Sequence, residues 1–180
     1  AQNGLTFEFY GLYNGGTSYN PDNTIRNDIT YKGLFCYWNG VENNQATARF
    51  GISSNGKKVQ WNTGGKRYIS DYSDQKTPWN ILYPESEEIQ NNKEMHFTIS
   101  IDCSQENFKH ILYVNGNKLY EGNLNKDYWN DFIQNSLGDL KYFCVGRSSM
   151  DKNGSWHYSK MNAYSIKLYN RGLNEQEVKD

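Results

Sequence analysis

The feature that most restricts this chain is a period of two. In LTFEFY, Leu5, Phe7 and Phe9 alternate with Thr6, Glu8 and Tyr10. In MHFTISID, Phe97, Ile99 and Ile101 alternate with Thr98, Ser100 and Asp102. In YSIKLY, Tyr164, Ile166 and Leu168 alternate with Ser165 and Lys167. Successive side chains on a strand point to opposite faces, so these stretches make half-buried antiparallel strands with the apolar set turned inward. Two further stretches, GLFCYW and HILYV, are apolar on both faces. They suit central strands covered on both sides, or strands whose outer face is put to use.

Strands need partners, and the turns supply them. FGISSNGKKVQW places Asn55-Gly56 between two short strands, and ILYVNGNKLYEG does the same with Asn115-Gly116. Asn-Gly provides the positive φ that a type I′ hairpin requires at both central residues. Pro21, Pro78 and Pro84 fall in expected loops, which leaves the strands free to pair. Helix is scarce. DYWNDFIQNSLG sets Tyr128/Phe132 and Trp129/Ile133 at i,i+4 spacing with Gly138 as a terminator, and LNEQEVKD offers Asn174 as an N-cap with acids in the first turn. The pattern has no repeat and no low-complexity linker. It predicts one all-β domain over 1–180, a two-sheet antiparallel jelly-roll β-sandwich with one or two short helices.

Composition agrees with that size and restricts the partners. A chain of 180 residues buries roughly 70% of its unfolded surface. Apolar residues make up only 36%, but aromatic residues contribute 16%, and Tyr and Trp pair a large apolar body with a polar tip. A net charge of −1 without a basic run lacks the electrostatic footprint of a nucleic-acid binder. No apolar run is long enough to insert in a membrane. AQNGLTFEFY has neither the basic start nor the apolar core of a signal peptide, and the abrupt ends favour a module excised from a larger surface protein. Cys36, Cys103 and Cys144 lie in apolar strand-like surroundings. Their odd number and wide spacing fit neither a disulfide framework nor a zinc site, and they read as small buried hydrophobes, with one bridge between neighbouring strands as the alternative.

Catalytic patterns are missing. Glycosidases need two carboxylates flanking the scissile bond. Here Glu8 stands alone in its strand, and Glu85, Glu87 and Glu88 follow Pro84 in what reads as a solvated loop. His96, His110 and His157 have no ligand spacing, and His96 alternates against an inward Phe97, so it faces out. The chain is expected not to be an enzyme.

Three segments carry a family resemblance. LYVNGNKLYEG, YFCVGRS and YSIKLYNRGLNEQEV, in that order within 94–180, resemble the second half of LamG-like (laminin G-like) domains of the concanavalin A-like lectin/glucanase superfamily. Tyr169, Asn170, Arg171, Leu173 and Glu177 match the closing motif. The resemblance implies that Ile166 and Leu168 pack the last strand into the core, that Tyr169 and Leu173 anchor the turn, and that the short helix caps an open end of the sandwich. Such a motif is architectural and names no ligand. Relatives often carry calcium at the sandwich rim, which makes Asp71, Asp74 and Asp151 candidate ligands for Ca²⁺, although Asx turns account for these aspartates equally well.

Sugar binding asks for flat aromatic faces beside amides or acids. Trp79, Trp129 and Trp156 each sit in or beside a loop with Asn, Asp or Ser neighbours, and Asn153 precedes Trp156 closely. Trp38 and Trp61 end strands. A tryptophan in a sandwich is more often core or lid than platform, yet five of them make an exposed one expected. Trp156 leads because it lies between the VGR strand and the closing strand, where loops rim the ligand site in relatives. The reading is therefore a non-catalytic extracellular or cell-surface carbohydrate-binding and adhesion module, whose partner is a glycan or a surface protein. The alternative is a structural or protein-interaction spacer in a surface or phage tail protein.

Overall fold

The computed structural model describes residues 3–20, 22–26, 32–38, 41–42, 45–46, 49–54, 57–64, 80–135, 137–147 and 156–179. The strands are β1 (Gly4–Tyr19), β2 (Ile25–Arg26), β3 (Lys32–Trp38), β4 (Val41–Glu42), β5 (Gln45–Ala46), β6 (Arg49–Ser54), β7 (Val59–Gly64), β8 (Asn80–Leu82), β9 (Glu94–Asp102), β10 (Lys109–Val114), β11 (Asn117–Asn123), β12 (Tyr142–Val145) and β13 (Trp156–Tyr169). The helices are α1 (Lys126–Asn135) and α2 (Glu175–Lys179). A front sheet runs β11-β10-β9-β1-β13, with β2 pairing β1, and a back sheet runs β12-β3-β6-β7-β8. Every described pairing is antiparallel. This is the expected two-sheet antiparallel jelly-roll sandwich.

The period of two does the sorting. Leu5, Phe7 and Phe9 of β1 and Phe97, Ile99 and Ile101 of β9 all enter the core. Phe7 stacks on Phe35 of the back sheet at 5.6 Å between ring centroids, which ties the two layers together. Helix α1 closes the core with Trp129 and Phe132, and Trp129 meets Trp61 of β7 edge-on at 6.0 Å. Rings of this size contribute much of the buried apolar area in a core they share with Leu, Ile and Val side chains. Gly138 does not end α1 by a left-handed turn; it lies in a 3-10 turn, Leu137–Asp139, that follows the helix.

The Asn115-Gly116 hairpin forms as expected, with φ of 52° and 80°. Asn55 and Gly56 lie outside the described residues, although the strands they join are paired up to Ser54 and Val59. Cys36 and Cys144 are register partners on β3 and β12, and all three cysteines are free thiols. Among the described residues, no helix is long and apolar enough to cross a membrane.

The last strand departs from expectation. Ile166 packs against the core, but Leu168 is 56% exposed and Tyr164 is 49% exposed. β13 ends its sheet, so a core-side chain such as Leu168 has a strand neighbour on one flank only. Tyr164 is turned by a bulge: Tyr10 pairs with Ser165 and Gly11 with Ala163, leaving Tyr164 as the extra residue. A bulge re-aims its side chain, and the Tyr164 ring meets Tyr10 at 5.3 Å.

The tail departs as well. It does not cap an open end between the sheets but turns back over the outer face of the front sheet. Thr6 Oγ1 donates to the Arg171 carbonyl and accepts from the Leu173 N–H, both at 2.9 Å. Ser100 Oγ donates to the Leu173 carbonyl at 2.8 Å. Leu173 and Val178 bury themselves with Tyr113, against Ile111 and Tyr169. HILYV is thereby covered on both sides, as its composition asked. Gly172 is required where the tail crosses β9, since a Cβ there would stand 2.8 Å from the Ile101 carbonyl oxygen. Asn174 caps α2 as expected: its Oδ1 accepts from the N–H of Gln176 and Glu177, while its own N–H donates to Glu177 Oε2.

Candidate functional site

The outer face of the front sheet is a grid of outward side chains. Register sets Thr6 beside Ser100 and Tyr169, Glu8 beside Thr98 and Lys167, and Tyr10 beside His96 and Ser165. The first row lies under the tail. The next two stay open and form a shallow depression of about 270 Å³ lined by Glu8, Tyr10, His96, Ser165 and Lys167. That volume is just below the small end of ligand pockets and suits one sugar ring rather than a long chain.

Three strands converge on one carboxylate. Glu8 is only 5% exposed. Its Oε2 lies 3.2 Å from Lys167 Nζ, receives the Tyr169 hydroxyl at 3.3 Å, and sits 3.8 Å from His96 Nε2. The bond to Glu8 raises the pKa of Lys167, so its ammonium is held charged. Thr98 Oγ1 stands 3.4 Å from the same His96 nitrogen. The backbone of His96 is fixed by the hairpin tip: its N–H donates to Asn115 Oδ1, and its carbonyl accepts from the Asn115 N–H. Burial holds His96 below the ordinary histidine value, against the opposing pull of Glu8.

Rings rim this polar floor. Tyr10 is 38% exposed, and its hydroxyl donates to Glu94 Oε2 at 2.8 Å, a bond that raises the tyrosine pKa. Tyr10 contacts His96 at 6.2 Å on one side and Tyr164 on the other. The result is an exposed pair of phenol rings beside an ammonium, a hydroxyl and the nearly buried Glu8 carboxylate. Rings take the apolar face of a sugar, and the polar groups can donate to and accept from its hydroxyls.

The residues singled out from sequence fare differently. Trp129 is 1% exposed, inside the core, so its ring offers no face to a ligand. It faces inward because α1 lays its apolar stripe on the sandwich. Trp61 is likewise 1% exposed. Trp156 opens β13 opposite Tyr19. That is nine residues along β1 from Tyr10, about 30 Å on an extended strand, so its backbone is remote from the depression; its side chain lies outside the described residues. Trp79, Asn153, Asp71, Asp74 and Asp151 also lie outside them. Among the described residues, no group of three His, Cys, Asp or Glu side chains converges as a metal site would need. Glu8, Tyr10 and Lys167 were not picked out in sequence. The signal was present as outward positions of the alternation, but only register brings β1, β9 and β13 together.

Comparisons with known proteins place the fold. No protein-family model matches the chain, and no curated protein matches its sequence. Among solved structures, the chain is similar to the CBM40 module of the Ruminococcus gnavus IT-sialidase bound to α2,3-sialyllactose, with a TM-score of 0.61, 12% identity, and 98% of this chain covering 81% of that one. It is also similar to the NanB sialidase of Streptococcus pneumoniae, at a TM-score of 0.61, 14% identity, and 98% of this chain against 23% of that one. The leech intramolecular trans-sialidase gives a TM-score of 0.59 and 13% identity, with 99% of this chain against 24% of that one. The chain thus spans most of an isolated binding module and about a quarter of these sialidases. The likeness supports a lectin-like jelly roll and does not single out the LamG-like branch.

Proposed function

We propose that this domain is a non-catalytic carbohydrate-binding module that holds a sugar on the open half of its front sheet. One observation carries the reading: Tyr10, His96, Ser165, Lys167 and Glu8, drawn from three strands, line one shallow depression whose rim is aromatic. A rigid sheet face presents these groups with little loss of side-chain freedom on binding. The CBM40 module of the same fold supports it, being bound to α2,3- and α2,6-sialyllactose in its structures. Among the described residues lining the depression Glu8 is the single carboxylate, and Glu94 stands beyond it at the rim, bonded to Tyr10. The finer reading is a secreted or surface-exposed module tethered to other domains, with a LamG-like ancestry carried by the closing motif and a calcium ion at Asp71, Asp74 and Asp151.

The test is a glycan array on the purified domain, with and without calcium, repeated with Tyr10→Ala. Removing a ring that carries a stacked sugar costs about 1–2 kcal/mol, or roughly tenfold or more in affinity. Binding to glycans that survives Tyr10→Ala undiminished would place the ligand elsewhere, with the Trp156 end of β13 the next region to mutate. Silence across all glycans would favour the spacer or protein-interaction reading, which the exposed Tyr142, Phe143 and Val145 on edge strand β12 also suit.

A further inference from the structure

We propose that the depression selects uncharged sugars and discriminates against sialylated ones, an inference that rests on the binding reading above. The reason is how its charges are spent. Among the described lining residues Lys167 is the one permanent cation, and it is already bonded to Glu8. Glu94 adds a second carboxylate at the rim through Tyr10. An incoming carboxylate therefore meets two acids against one ammonium. His96 does not redress this at neutral pH, because burial keeps its ring uncharged.

Recruiting Lys167 away would be costly. Glu8 has a side chain 6% exposed, and a carboxylate so buried suffers badly when its counter-ion leaves. Its remaining neighbours, the Tyr169 hydroxyl and a neutral imidazole, do not replace a full charge. A neutral sugar avoids the conflict. Its hydroxyls can donate to Glu8 and Glu94 and accept from the remaining Lys167 protons and Ser165, while its apolar face lies on Tyr10 and Tyr164. The facing titratable groups, Glu8, Glu94, Tyr10, Tyr164, Tyr169, His96 and Lys167, contain no other cation.

Matched glycans test this, since lactose and 3′-sialyllactose differ by one carboxylate-bearing sugar, and further neutral and sialylated pairs can be built on other cores. Calorimetry or NMR titration at pH 7.5 should give the neutral member of a pair a dissociation constant at least about threefold lower. Glu8→Gln, which frees Lys167, should move the ratio about tenfold toward the sialylated member. Because Glu8 is buried, the exposed Glu94→Gln serves as a second variant: it should move the ratio the same way by about twofold without a change in melting temperature. Tighter binding of the sialylated member by the unmodified domain overturns the inference, as does a ratio unmoved in both variants. Silence toward every pair overturns the binding reading itself, a result distinct from either.

Discussion

Thr6 and Glu8 stand two residues apart on one strand and point the same way, yet they serve different ends. Thr6 is sealed beneath the tail, where its hydroxyl bonds Arg171 and Leu173. Glu8 is nearly as buried, but its bonds run to Lys167, Tyr169 and His96, and the surface above it is open. The covered half of the face has polar groups matched to the protein's own backbone. The open half has polar groups matched to side chains that are exposed, as Lys167 is, or half-buried, as His96 and Tyr169 are. Backbone partners are fixed in number and direction, so the covered half can only stabilise. Exposed side-chain partners retain spare donors and acceptors, which a ligand can use.

Leu173→Ala tests the covered half most severely. It empties a site 4% exposed and should cost about 3 kcal/mol in urea unfolding, with the tail lost from the cooperative unit. A cost below about 1 kcal/mol would mean that the tail merely rests on the sheet.

Acid bears on two of the three histidines. His110, 5% exposed between Trp61, Tyr83 and Tyr120, is pushed by burial from 6.5 down to about 4. Between those values the unfolded chain takes a proton that the folded one refuses, so stability falls as pH drops from about 6.5 to about 4, by on the order of 3 kcal/mol, and then levels off. His96 is shifted the same way and adds to the same slope. Urea unfolding from pH 7.5 to pH 4 should lose most of its pH dependence in His110→Gln and little in His96→Gln.

Thr6→Val and Tyr10→Phe draw the line between the halves directly. The first strands the Leu173 N–H and should cost about 1–2 kcal/mol. The second removes an exposed hydroxyl bonded to Glu94 and should leave the urea midpoint nearly unchanged. Equal costs would erase the distinction. The smallest effect belongs to Arg171→Ala: its bridge to Glu177, at 2.7 Å, joins solvated side chains, so the variant should keep the urea midpoint of the unmodified domain.

Much of this fold was legible in the residues. The strands around Phe7, Phe97 and Leu112, the Asn115-Gly116 turn and the Asn174 cap each follow from local rules. Leu168 and Tyr164 were misassigned because alternation tells which face a residue shares, not whether its strand lies at an edge or carries a bulge. Trp129 was read as a platform because an amphipathic helix beside polar loops does not reveal which way its aromatic stripe turns.

The sequence by itself determined a two-layered antiparallel sandwich, the Asn115-Gly116 turn and the capped terminal helix, since all of these depend on neighbours a few residues apart. Only the tertiary structure decided where the tail lies and which outward residues meet. Glu8, His96 and Lys167 are separated by tens of residues, and their meeting depends on the register of three strands and on which half of the sheet the tail leaves uncovered.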